Sequence, residues 1–234
     1  MATRLVLIHS PLVGPVTWTM VADALRRSGW EVRIPTLAQP DSPAGPFWSV
    51  HTQSAVGGLA GDPPDAGYVL AGHSGAGLLL PHIGRALDGP VEAYIFVDAG
   101  LPHSELSRMA GPFGNVLQDL YARGERFPNW DDATLREILP DADIRSRLLA
   151  DLRPQPIAFW EEIIPDVDEW PDAPCGYLHF SPAYDDDAAR AGSMGFAVHH
   201  MAAGHFHMLV DPDAVATAML DLLDQLRSER VMNT

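Results

Sequence analysis

Ser74 stands between small residues at the end of an apolar run, "VLAGHSGAG" from Val69 to Gly77. Gly72-His73-Ser74-Gly75-Ala76 is one residue removed from G-x-S-x-G, the nucleophile elbow, whose small flanking residues permit a sharp strand-to-helix turn carrying a strained serine. Ala76 stands in for the second glycine. The context fits, because "GYVLA" runs directly into the motif and an apolar helical stretch follows it. A serine hydroxyl is a weak nucleophile until a base takes its proton. "MAAGHFHMLVDP" offers His205, which follows a glycine in a loop ahead of a helix opening near Asp211 and Pro212. The alternative for Ser74, a helix cap in a nucleotide-binding fold, leaves that histidine without a purpose.

His199, His200, His205 and His207 invite comparison with a metal centre, since histidines two apart can chelate zinc. His199 and His200 are adjacent on an expected strand and so face opposite ways, and no acidic or cysteine partner lies at a ligand spacing. No metal and no cofactor are expected. His207 reads as a packing or surface residue, in reserve should His205 prove inert.

These residues need a frame that brings strand ends together. Leu5 to Ile8 is a short, branched, continuously apolar run, which suits a strand buried on both faces of a parallel sheet. "TWTMVADALRRSGW" follows with Met20, Val21, Ala24 and Leu25 at helical spacing, Thr17 as a cap and Gly29 closing the helix, before a strand-like "EVRIPTL". This strand, helix, strand order is the βαβ signature with its right-handed crossover. Turns are expected over 39–47 and at "DPPDAG", on either side of a weaker helix over 50–59. "YVLAG", a helix with Pro81 in its first turns or kinking it, and the strand "EAYIFVDAG" continue the alternation. From about 101 to 170 the pattern turns to helical pieces carrying Phe113, Trp130, Phe159, Trp160 and Trp170. We read these as a helical cap (101–170) inserted into a core of 1–100 and 171–234. "GYLHF", the turn "SPAYDDD", the helix "AARAGSMG", the strand "FAVHHMA" and an amphipathic helix from Pro212 to about Arg227 complete the chain.

With the elbow, the glycine-histidine pair after the last strand and the order serine, acid, histidine in place, the chain resembles the α/β-hydrolase family over nearly its whole length. The resemblance implies a mainly parallel sheet of about six strands with helices on both faces, and an acid that orients the imidazole. In the family that acid usually follows the strand before the histidine strand. Here the slot about three residues beyond that strand holds Ala183 or Tyr184, and Asp185 is the nearest carboxylate. The other candidate is Asp98 in "YIFVDAGLP", at the carboxyl end of the strand that follows the nucleophile helix. We prefer Asp98 because open α/β sheets place their ligands at that edge. Its competing role is a cap for the turn at Gly100.

Family members also carry His-Gly-X after the first motif strand, where the N–H of X is one of two donors to the oxyanion. This chain reads His9-Ser10-Pro11-Leu12, and Pro11 has no N–H. Gly75 N–H is the first donor. For the second we expect Leu12 N–H, pushed into the pocket by Pro11, with the Ser10 hydroxyl as the other local candidate.

The whole chain narrows the alternatives. Its 234 residues, 47% hydrophobic, suffice for one large core. Fifteen basic residues against 31 acidic give a net charge of -16, which opposes nucleic acid and anionic membrane surfaces. Every basic residue is arginine, so neither a Schiff-base lysine nor a phosphate-loop lysine exists. A single cysteine, Cys175, and no export signal or membrane anchor point to the cytoplasm. The function expected is a serine hydrolase acting on an ester, thioester or lactone of a hydrophobic acyl or natural-product-like small molecule. The alternative is a lyase, cyclase or isomerase in the same fold with His205 as proton shuttle. A non-catalytic ligand binder ranks last, and the oligomeric state is open.

Overall fold

Apolar runs at the expected places form one parallel six-stranded sheet in the order β2-β1-β3-β4-β5-β6. Its strands are β1 Thr3–Ile8, β2 Glu31–Arg33, β3 Gly67–Ser74, β4 Val91–Ala99, β5 Cys175–His179 and β6 Ala197–His200. The computed structural model describes residues 3–42, 44–63, 66–102, 108–109 and 111–232. Parts of the expected turns, at 43 and 64–65, and parts of the expected insertion, at 103–107 and 110, lie outside them.

β3 is buried at every position and β1 at all but its first, as strands covered on both faces must be. One cluster packs Leu5, Leu7, Val69, Ala71, Ile95 and Val97 beneath helices α1 (Val16–Arg27) and, at the far end of the chain, α9 (Pro212–Met232). The opposite face packs Val6, Ile8, Leu70, Tyr94 and Phe96 against α2 (Phe47–Gly57), α3 (Leu80–Ala86) and α8 (Asp185–Ser193). The strand order reverses between β1 and β3, and at such a point the two following loops diverge and open a crevice. The loop after β1 and the turn after β3 border it.

Between β4 and β5 the regular elements among the described residues are helices: α4 (Gly111–Ala122), α5 (Asp132–Leu135), α6 (Ala142–Ala150) and α7 (Ile157–Glu161). The segment after α6 returns to the core and zips onto the loop after β1. Val13 bridges Leu152 antiparallel, Arg153 N–H donates to Leu12 O (2.9 Å), and Gln155 Nε2 donates to Pro11 O (2.7 Å).

Two expectations shift. Thr17 does not cap α1; the helix begins at Val16, whose N–H is taken by Asp151 Oδ2 at 3.0 Å, while Thr17 lies buried with its hydroxyl on Gly14 O. A carboxylate 135 residues away thus supplies the cap. β2 stops at Arg33, two residues before Pro35, whose missing N–H cannot serve a ladder. Pro81 falls in the first turn of α3, where its missing N–H costs nothing.

Candidate active site

Ser74 ends β3 at φ 58°, ψ -127°, a conformation that costs a non-glycine residue of order 1–3 kcal/mol unless its surroundings impose it. The surroundings are tight. A methyl group on Gly77 would stand 2.2 Å from Gly100 O, and one on Gly72 would stand 3.2 Å from the Ala76 carbonyl carbon. Gly77 therefore demands glycine, and a methyl on Gly72 would fit only if its neighbours gave way slightly, whereas Ala76 has room for its methyl and is fully buried. Gly75 opens a 3-10 turn (Gly75–Leu79), and the first N–H groups of such a turn have no carbonyl behind them.

Asp98 is placed by a bulge. His73 pairs with Val97 and Ser74 with Ala99, so Asp98 is the unpaired residue, at φ 42°. The bulge aims its side chain at the end of β5, where it is wholly buried and accepts four hydrogen bonds. Phe180 N–H and Ser181 N–H each approach at 2.9 Å, Ser181 Oγ at 2.6 Å and His205 Nδ1 at 2.7 Å. Burial alone would raise its pKa. The hydrogen bonds and charge of His205, together with the Ser181 donors, outweigh that and hold the carboxyl below its usual value. With Asp98 on Nδ1, the second ring nitrogen of His205, Nε2, is the one left for proton transfer.

His205 is fixed from several sides. His73 Nε2 donates to His205 O at 3.0 Å, and the two imidazoles lie 4.4 Å apart. Burial first, and then the charge of His205, push the pKa of His73 well down, so His73 is neutral and carries its proton on Nε2. Tyr184 stacks on the other ring at 5.1 Å and 14°. Its hydroxyl lies 3.0 Å from Ser74 Oγ, and burial pushes its pKa up, so it stays protonated. Among the described residues Ser74 Oγ makes no hydrogen bond to His205; its partner is Tyr184.

The other sequence candidates fall as follows. Asp185 does not reach His205; it opens α8, is largely exposed, and pairs with His179 Nε2 at 3.0 Å. Leu12 N–H does not face the pocket as a free donor, because it is directed to Ser10 Oγ at 3.3 Å. The loop closes on itself at Ser10 and is pinned by Gln155 and Arg153, so Pro11 does not thrust the next amide forward as expected. Gly75 does border the loop: a methyl on it would lie 3.5 Å from Ser10 Oγ and 3.7 Å from Pro11 Cδ. His207 packs its ring against Phe180. His200 meets His179 (Nδ1 to Nδ1, 3.0 Å), and no group of three or more potential metal ligands occurs among the described residues.

Sequence reasoning missed Tyr184 as a partner of the serine, although Ala183 or Tyr184 was noted in the slot where an acid was sought. It also missed His73 as the brace of His205. A cleft of about 290 Å³ between α3, α8 and the 162–167 segment is lined by charged Arg108, Glu162, Asp166 and Arg190, but by none of Ser74, Asp98 or His205. No helix among the described residues is long and apolar enough to cross a membrane.

Comparisons with known proteins bear on this arrangement. The sequence profile of the Alpha/beta hydrolase family matches residues 5–218. No curated protein matches the chain by sequence. Among solved structures, an extracellular alpha/beta-hydrolase from a Paenibacillus species is 18% identical with a TM-score of 0.76, over 95% of this chain and 99% of that one. Tomato methylketone synthase I, as an H243A variant with beta-ketoheptanoate, is 13% identical at TM-score 0.69, covering 97% and 98%. A pyrethroid hydrolase from Sphingobium faniae JZ-2 is 19% identical at TM-score 0.66, covering 96% and 98%. At these identities the likeness to solved structures is one of fold.

Proposed function

The chain belongs to the alpha/beta hydrolase family, and on that premise we propose that it cleaves an ester, thioester or lactone of a hydrophobic small molecule through Ser74, His205 and Asp98. The observation that carries the reading is the 2.7 Å hydrogen bond from His205 Nδ1 to the buried Asp98, placed beside a serine held at φ 58°.

The steps follow from these positions. Ser74 Oγ attacks the carbonyl carbon while its proton passes to His205 Nε2, and Asp98 stabilises the imidazolium without taking the proton. The tetrahedral intermediate collapses, the bond to the leaving oxygen or sulfur breaks, and His205 returns the proton to that atom. Water then attacks the acyl-serine, gives a proton to His205, and the acid departs as Ser74 recovers its hydrogen. Substrate entry must first separate Ser74 from Tyr184. That exchange is cheap, since one neutral hydrogen bond is worth about 1 kcal/mol net.

An apolar acyl group is favoured by what covers the loop after β1. Leu12 packs on a cluster of Phe47, Leu117, Phe159 and Trp160, and Phe127 and Trp130 continue it edge-to-face as far as Phe206, next to His205. A substrate group laid against this buried apolar cluster would meet few polar partners, which favours an apolar one. Two of the similar structures are named as hydrolases.

A second reading rests on one observation: Ser74 bonds Tyr184 and not His205. In that reading His205 moves a substrate proton directly and the enzyme is a lyase, cyclase or isomerase; one similar structure is named as a synthase. Assaying acyl-chain nitrophenyl esters and lactones with wild type and Ser74→Ala decides between the two. The hydrolase reading expects turnover that Ser74→Ala abolishes, and turnover that survives this change favours the proton shuttle.

A further inference from the structure

A serine hydrolase whose loop after β1 carries proline where the family resemblance implies a backbone donor needs another group to hold the oxyanion. Beside Gly75, the loop after β1 offers few polar hydrogens. Pro11 has none, and Leu12 N–H is given to Ser10 Oγ at 3.3 Å. The carbonyls of this loop are themselves filled by donors: Ser10 O by His9 Nδ1–H (2.9 Å) and Val13 N–H (3.1 Å), Pro11 O by Gln155, and Leu12 O by Arg153 N–H. The loop is thus held in one shape.

Within it the Ser10 hydroxyl is distinctive. Ser10 is 2% exposed, and among the described residues no acceptor receives its hydroxyl proton. Its oxygen faces the residue after the nucleophile, 3.5 Å from where a Gly75 methyl would stand. Accepting the Leu12 N–H fixes the oxygen and polarises the O–H, which strengthens it as a donor. Its location is also right, since the crevice between the ends of β1 and β3 is where the strand order reverses.

We propose that the Ser10 hydroxyl, with Gly75 N–H, holds the oxyanion of the tetrahedral intermediate and takes the place of the backbone donor removed by Pro11. This rests on the serine-hydrolase reading and adds a catalytic residue to it. Ser10 keeps its proton throughout; it lends a hydrogen bond and transfers nothing. A rotatable donor tightens onto the charge only as the charge forms, so its loss falls on kcat and leaves KM nearly unchanged.

The test compares wild type, Ser10→Ala, Ser10→Gly and Ser10→Thr by steady-state ester hydrolysis, by fluorophosphonate labelling of Ser74 and by inhibition with a trifluoromethyl ketone that forms a hemiketal oxyanion on Ser74. The proposal expects kcat about 100- to 1000-fold lower in the alanine and glycine variants, a matching loss of inhibitor affinity, and a threonine variant within about tenfold of wild type. Melting curves establish that each variant is folded. A folded Ser10→Ala within threefold of wild type in kcat overturns the role of Ser10 alone. So does a Ser10→Thr as impaired as Ser10→Ala, because a shape effect would then explain the loss. A wild type that takes up no label and hydrolyses no ester overturns the hydrolase reading, and the role of Ser10 with it.

Discussion

Tyr184 covers His205 with its ring, at 14° between planes, and occupies Ser74 with its hydroxyl at 3.0 Å. One side chain thereby contacts both the proposed nucleophile and the proposed base, and its stacking holds the His205 ring in plane. Because its pKa is pushed up by burial, it occupies Ser74 as a neutral phenol and not as a phenolate.

Replacing Tyr184 by phenylalanine keeps the stacking and removes the competitor. The hydrogen bond is worth roughly 0.5–1.5 kcal/mol net, so fluorophosphonate labelling of Ser74 should quicken by about two- to tenfold. Stopped-flow or gel-based labelling rates read this directly. Slower labelling would mean that Tyr184 activates the serine.

Asp98 and Asp185 separate cleanly. Asp98→Asn turns an acceptor of four hydrogen bonds into a group with an N–H pair facing donors, and favours the wrong imidazole tautomer. The expectation is a loss of kcat on the order of 1000- to 10000-fold, with a lowered melting temperature. Asp185→Asn, altering a largely exposed pair with His179, should stay within about twofold. Ester kinetics on both folded variants check the contrast, and the reverse order would reassign the acid.

Gln155 is 1% exposed and joins the helical segment to the catalytic loop through Pro11 O. Gln155→Leu should leave that carbonyl unpaired, costing roughly 1–3 kcal/mol, and should lower kcat by loosening Ser10. A urea midpoint and kcat that both stay at wild-type values would show that the loop does not depend on it.

Much of this arrangement was legible beforehand because it is local. Strand ends are marked by apolar runs and the elbow by small residues around Ser74, while the family resemblance points to His205 after its glycine, and Asp98 was preferred to Asp185 for its place at a strand end. What was not legible depends on contacts across the fold. Thr17 looked like a cap because sequence cannot see Asp151 arriving at Val16. Leu12 N–H looked free because nothing local announces that Ser10 Oγ will take it. Tyr184 was visible only as an anomaly in the acid slot, and its partner was 110 residues away.

His9 and His51 are buried and neutral, each with its pKa pushed down to about 4, chiefly by burial. In the unfolded chain each binds a proton below about pH 6.5. The unfolded state therefore holds more protons between about 6.5 and 4, and stability must fall as the pH is lowered through that window, by up to roughly 1.4 kcal/mol per pH unit for each histidine. Asp98, held below its usual pKa, adds a further loss under about pH 4. Urea midpoints from pH 7.5 to 4 should show the slope, and His51→Leu should flatten it. An unchanged slope in that variant would locate the effect elsewhere.

Ser74 is expected to become covalently bound because His205, oriented by Asp98, takes its proton. Intact-protein mass spectrometry after fluorophosphonate treatment, with peptide mapping of the adduct, measures it most directly. One adduct on Ser74 is expected in wild type, none in Ser74→Ala, and labelling slowed at least about 1000-fold in a folded His205→Ala. A wild type that remains unlabelled, or a His205→Ala that labels at the wild-type rate, would contradict it.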